Sequence, residues 1–126
     1  MLMSLSAVLI VFAQPAAIAP ECASESADVG YEALAQGQNE RAQREIEANP
    51  DLDKNDPSRL INLGIAYARQ GDEAKAREMF EAALQSSDRA WLETANGEWV
   101  DSRHLARKAT RMLDRGEFSS TNVAMR

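Results

Sequence analysis

The chain has 126 residues, room for one domain at most. A net charge of −6 argues against general nucleic-acid binding, which needs a basic footprint to neutralise phosphate. A single cysteine, Cys22, excludes an intrachain disulfide, and an alanine-dominated apolar set with 6% aromatics favours close-packed helices over a sheet core.

Residues 1–20 carry no charged side chain, unlike everything after them. Leu5 to Ala13 form an apolar run of signal-peptide length, too short to span a bilayer alone. Val11-Phe12-Ala13, at the end of the run, offers small or branched residues at the positions a signal peptidase reads, and Ala17-Ile18-Ala19 is the other candidate, opposed by Pro20; the start lacks the Lys or Arg such signals usually carry. Ala19-Pro20-Glu21 ahead of Cys22 does not resemble a lipoprotein cleavage box, so no lipid anchor is expected. The expectation is export to a bacterial periplasm through a cleaved signal. The alternative is an inner-membrane tether, in which residues 2–19 are retained and a membrane becomes a partner. Residues 21–28 are expected to be a flexible tail holding an unpaired thiol.

From residue 29 the pattern is helical. Val29, Tyr31, Ala33 and Leu34 precede Gly37, a glycine placed to end a helix in the left-handed region. Asn39 is the expected N-cap of a second helix, with Ala42 and Ile46 on one face, and Asn49-Pro50 stops it. The acidic turn PDLDKND leads to Asp56-Pro57, an N-cap followed by the residue best suited to the first helical position. The helix it opens is apolar on more than one side and is expected to be covered twice. Gly71-Asp72 breaks the chain, and Ala76, Met79, Phe80, Ala83 and Leu84 then recur with helical spacing.

Gly30, Gly37, Ala42 and Ile46 stand 34 residues before Gly64, Gly71, Ala76 and Phe80. A fixed period of this size marks a helical repeat array. The series Leu60, Leu63, Gly64 and Tyr67, followed by Gly71, Ala76, Phe80 and Ala83, resembles the tetratricopeptide repeat. The resemblance implies an all-α fold with two stacked helix–turn–helix copies, about 23–56 and 57–90, packed through those eight residues. It also implies a concave face where a peptide or partner helix docks. Carried over position by position, that face is Ala27, Tyr31, Leu34 and Ala35 in the first copy, and Ser58, Ile61, Ile65, Ala68 and Arg69 in the second. The first copy departs from the family pattern, with Ala33 for a large Tyr and Asn49 for Ala, and Asp88 replaces the Pro that usually follows the second. Ile61 and Ile65 stand beside Asn62 where some members carry a carboxylate clamp, so none is expected.

Beyond the repeats, Asn96-Gly97 within AWLETANGEWVDS signals a β-hairpin. A two-residue turn would pair Thr94 with Trp99 and place Leu92 on their face; the competing reading is a short helical turn and a loop. This arm, 91–101, precedes a capping helix over 102–116 with a stripe of Leu105, Ala106, Ala109, Met112 and Leu113. The helical repeat domain is thus expected over 29–116, with 117–126 a disordered tail. Either the concave face is open to a partner, or the arm and last helix fill it. Arg103, Arg107, Lys108, Arg111 and Arg115 make the last helix basic, as a solvated face or as a contact for an acidic partner or anionic headgroups.

No catalytic constellation emerges. His104 is the one histidine, which rules out a multi-histidine metal site, and Asp51, Asp53 and Asp56 lack the glycine and terminal glutamate of a calcium loop. No phosphate-cradling loop or nucleophile elbow is present. The expectation is a monomeric protein- or peptide-binding module with no enzymatic activity, cofactor, metal or nucleic-acid partner.

Overall fold

The computed structural model describes residues 30–119, so the proposed signal, Cys22, Ala27 and Val29 lie outside the described residues. Within them run α1 (Tyr31–Ala35), α2 (Asn39–Ala48), α3 (Pro57–Arg69), α4 (Glu73–Gln85), β1 (Trp91–Glu93), β2 (Trp99–Asp101) and α5 (Ser102–Asp114). The fold is mostly helical, with one small antiparallel sheet.

Aspartates open the three longest helices by accepting backbone N–H groups that the first turn leaves without partners. Asp56 Oδ1 accepts from Ser58 N at 2.8 Å and Arg59 N at 3.1 Å, Asp72 from Lys75 N at 3.2 Å, and Asp101 from Arg103 N and His104 N at 3.0 and 3.2 Å. The expected cap of α2 shifts by one: Gln38 is the N-cap, without a side-chain bond, and Asn39 is the first helical residue.

Three helices end in the same way. Gln38 N donates to Ala33 O, Asp72 N to Tyr67 O and Glu117 N to Met112 O, at 2.8, 3.0 and 3.0 Å, each passing over a glycine. Those glycines, Gly37, Gly71 and Gly116, have φ of 73°, 84° and 67°, the left-handed turn that lets the chain reach back to the last carbonyls.

Helix α3 is the central element and packs against α2, α4 and α5. One apolar group surrounds Phe80, drawing in Ile46, Leu63, Tyr67, Ala76 and Leu113. A second joins Ala33, Leu34, Ala42 and Ala66. A third joins Leu60, Ile61, Ala83 and Ala106, with Leu92 and Leu105 against it. Half-buried Ile65 touches all three, which accounts for the two-sided apolar character of α3. Leu52 is also buried, so the acidic turn contributes to the core.

The 91–101 segment forms a hairpin, but in a different register from the one expected. Glu93 pairs with Trp99 and Leu92 with Val100, while Thr94 N donates to Glu98 O and Gly97 N to Thr94 O, both at 2.8 Å. The loop is therefore Ala95-Asn96-Gly97, with Gly97 at φ 81° supplying a left-handed residue. A three-residue loop closed by a left-handed glycine is a standard hairpin solution. The slip changes which side chains share a face: Leu92 now sits with Val100, and Trp99 is on the opposite side.

The domain edge drawn at Gly116 also moves. Phe118 lies beyond it and is buried, its ring 6.2 Å from that of Phe80 and tilted 31°.

Candidate interaction surfaces

The expected concave face is only partly a surface. Tyr31 is half exposed, and Ser58, Ile65 and Arg69 are intermediate, but Leu34, Ile61 and Ala68 are buried. Leu34 packs with Ala33, Ala42 and Ala66, and Ile61 belongs to the group that includes Ala106. Ala68 lines a narrow cleft of about 310 Å³ together with Leu113 and Phe118. Helix α5 and the turn after it thus lie against Ile61 and Ala68, two of the positions expected to face a partner. The aromatic arm does not: Trp91 and Trp99 remain 66% and 63% exposed, and only Leu92 reaches the core.

Two of the expected surface residues are held by hydrogen bonds, one local and one between helices. Ser58 gives both its backbone N–H and its hydroxyl to Asp56. Arg69 Nη1 donates to Leu34 O at 2.9 Å, fastening the end of α3 to α1. Arg69 also borders a second, open cleft of about 650 Å³, shared with Arg41, Arg44 and Gln70 and with the turn at 37–40. That polar cleft was not legible in the sequence, because it forms only where the α1–α2 turn meets the end of α3.

Seven of the eight packing residues are buried, and Gly71, which ends α3, is exposed. Leu60, Leu63, Tyr67, Ala76, Phe80 and Ala83 are buried. Gly64 faces the Phe80 ring, and a Cβ on it would fall 2.5 Å from Phe80 Cε1. Tyr67 adds a polar anchor absent from the sequence reading. Its hydroxyl donates to Glu47 Oε1 and accepts a long bond from Gln43 Nε2 at 3.5 Å, and Gln70 Nε2 donates to Gln43 Oε1 at 2.9 Å. Burial, then the hydrogen bond to Glu47, push the Tyr67 phenol up to about 12. Lys75 Nζ lies 5.2 Å from the centre of the same ring. The only sequence trace of this network is that Gln43 and Glu47 are four residues apart, on one helix face.

The basic helix divides into engaged and unengaged cations. Arg103 turns inward and donates to Ser86 O at 3.2 Å, and Arg115 lies 3.4 Å from Glu117. Arg107, Lys108 and Arg111 are exposed. At the head of α5, Arg89 is paired with Asp101, and that hydrogen bond holds the Asp101 carboxyl below its ordinary range.

Among the described residues no three of His, Cys, Asp or Glu gather in a way that could hold a metal ion. Asp53 and Asp56 instead bind backbone N–H groups of Asn55, Ser58 and Arg59, and His104 is exposed. No described helix is long and apolar enough to cross a membrane. Comparison with protein-family models, with curated proteins and with solved structures finds no match.

Proposed function

We propose that the chain is a tetratricopeptide-like interaction module, exported to a bacterial periplasm, which contacts protein or peptide and catalyses no reaction. One correspondence carries this reading. A Cβ placed on Gly30 would meet Ile46 at 2.8 Å, and one placed on Gly64 would meet Phe80 at 2.5 Å. The two pairs have the same internal spacing and lie 34 residues apart. Gly37 and Gly71, also 34 apart, end their helices through equivalent hydrogen bonds. Recurrence of one packing rule at one period is what a helical repeat requires. The first copy is reduced: Gly30 has φ 72° and precedes a described helix of five residues, whereas Gly64 lies inside a helix of thirteen.

On this reading the partner meets the strip left accessible, Tyr31, Ser58, Ile65 and Arg69. The test uses the full chain as bait in periplasmic extract, with Ile65→Glu and Tyr31→Ala compared by circular dichroism and by the proteins retained. Loss of the same specific partner from both folded variants supports the strip; retention of every partner by both defeats it. Ile61→Glu is unsuited to this purpose, because Ile61 is buried and a charge there would unfold the domain.

A second reading, a membrane-tethered scaffold whose groove is occupied by its own C-terminal part, is favoured by the burial of Ile61 and Ala68, which share apolar groups with Ala106 and Leu113 of α5. N-terminal sequencing of the protein recovered from cells separates the two, since an intact Met1 excludes cleavage.

A further inference from the structure

Charge is unevenly distributed along this chain. Residues 30–101 hold fifteen acids against eight Lys or Arg, whereas residues 102–115 hold five Lys or Arg against one acid, Asp114. Helix α5 turns Ser102, Ala106, Ala109 and Leu113 inward. Its period then places Arg107, Lys108 and Arg111 on the opposite side, where all three are exposed. None of the three has an ion-pair partner among the described residues, since Asp114 is taken by Arg77 at 2.7 Å and Glu117 by Arg115.

Strand β2 runs into this helix without a linker, at Asp101–Ser102. The hairpin carries both tryptophans of the chain. The register places Trp91 and Trp99 on the side opposite Leu92 and Val100, and more than three-fifths of each is accessible. Tryptophan rings have an apolar body and a polar N–H, which makes the headgroup layer of a bilayer a favourable setting for them.

We propose that the β1–β2–α5 unit docks on an anionic phospholipid surface, with Arg107, Lys108 and Arg111 at the phosphates and Trp91 and Trp99 in the headgroup layer. An acidic polypeptide is the competing occupant, and the surface shape disfavours it. The unengaged cations stand on an open helix face, and the two clefts described above lie elsewhere, lined by neither these cations nor the tryptophans. A broad charged plane suits such a face better than a segment that needs a groove. The proposal does not depend on the repeat reading or on retention of residues 2–19.

The two tryptophans are the probe. Full-length protein is titrated with vesicles of phosphatidylcholine alone and of phosphatidylcholine with phosphatidylglycerol, and indole emission and co-sedimentation are followed. The expected result is a blue shift and sedimentation with the anionic vesicles only, both reversed by high salt. Each basic residue near an anionic leaflet contributes about fivefold to partitioning, so Arg107→Glu/Lys108→Glu/Arg111→Glu should lower it by roughly a hundredfold or more. Trp91→Ala/Trp99→Ala should weaken sedimentation while leaving its salt dependence in place. Equal binding to both vesicle types overturns the proposal, because the uncharged N-terminal segment would account for it. So does a blue shift with polyglutamate that anionic vesicles fail to produce, and so does the absence of any response to anionic vesicles.

Discussion

Gly64 and Phe80 approach so closely that a methyl group on the glycine would come within 2.5 Å of the ring, and Phe80 has no exposed surface through which to retreat. Alanine gains about 1 kcal/mol over glycine in a helix interior, but overpacking a closed core costs about 1–3 kcal/mol. Gly64→Ala should therefore lower stability by up to about 2 kcal/mol, the clash outweighing the propensity. Gly30→Ala should cost more, because it meets Ile46 and also adopts φ 72°. Gly37→Ala meets nothing within 4 Å and should lose only the backbone contribution, about 1–2 kcal/mol. Urea titration of the three variants checks the order, and a Gly64→Ala protein as stable as the parent would show that the close approach does not fix the helix pair.

Phe118 offers a simpler test of where the domain ends. It is 7% exposed and its ring packs on Phe80. Phe118→Ala should cost on the order of 3 kcal/mol, as for other buried phenylalanines. A chain stopped after Gly116 should lose a similar amount. A tail without contacts would give no shift in the urea midpoint for either protein.

How much of this was visible beforehand follows from the range of each interaction. Asp56, Asp72, Gly37, Gly71 and Gly116 act on neighbours within a turn or two, and their roles could be read from residue type and spacing. The burial of Ile61 and Ala68 could not, because it depends on where α5 comes to rest, dozens of residues later. The burial of Phe118 is illegible in the sequence for the same reason: a lone aromatic in a polar stretch has no period to announce it. The hairpin was legible as a hairpin, but Asn-Gly fits more than one loop length, and only the packing of Leu92 against the apolar group of Leu60, Ile61, Ala83 and Ala106 selects the register.

Tyr67 predicts an alkaline limb of instability. Its phenol is pushed up to about 12 by burial and by its bond to Glu47, against about 10 in an unfolded chain. The unfolded state therefore gives up this proton first as pH rises. The contribution is fully present below pH of about 10 and is lost as pH climbs toward about 12. The measurement is a difference: stability against pH for the parent and for Tyr67→Phe. The parent curve should fall more steeply over that interval, and parallel curves would remove Tyr67 from the account. Phenolate absorbance gives an independent check, since one of the two tyrosines should ionise late.

The hairpin register makes opposite demands on neighbouring residues. With Leu92 paired to Val100, these two share the inward face and are half-buried, while Trp99 stands outside at 63% exposure. Leu92→Ser and Val100→Ser should each cost about 1–2 kcal/mol, a fraction of the full large-to-small penalty because the side chains are only partly covered. Trp99→Ser should lie within about 0.5 kcal/mol of the parent, as an exposed position does, despite removing the largest side chain of the three. The two-residue turn reverses this ranking, because pairing Thr94 with Trp99 would bring the indole to the face of Leu92. Thermal unfolding of the three single variants therefore reads the register directly. A Trp99→Ser protein that melts well below Val100→Ser would overturn the three-residue loop, and with it the outward position of Trp99.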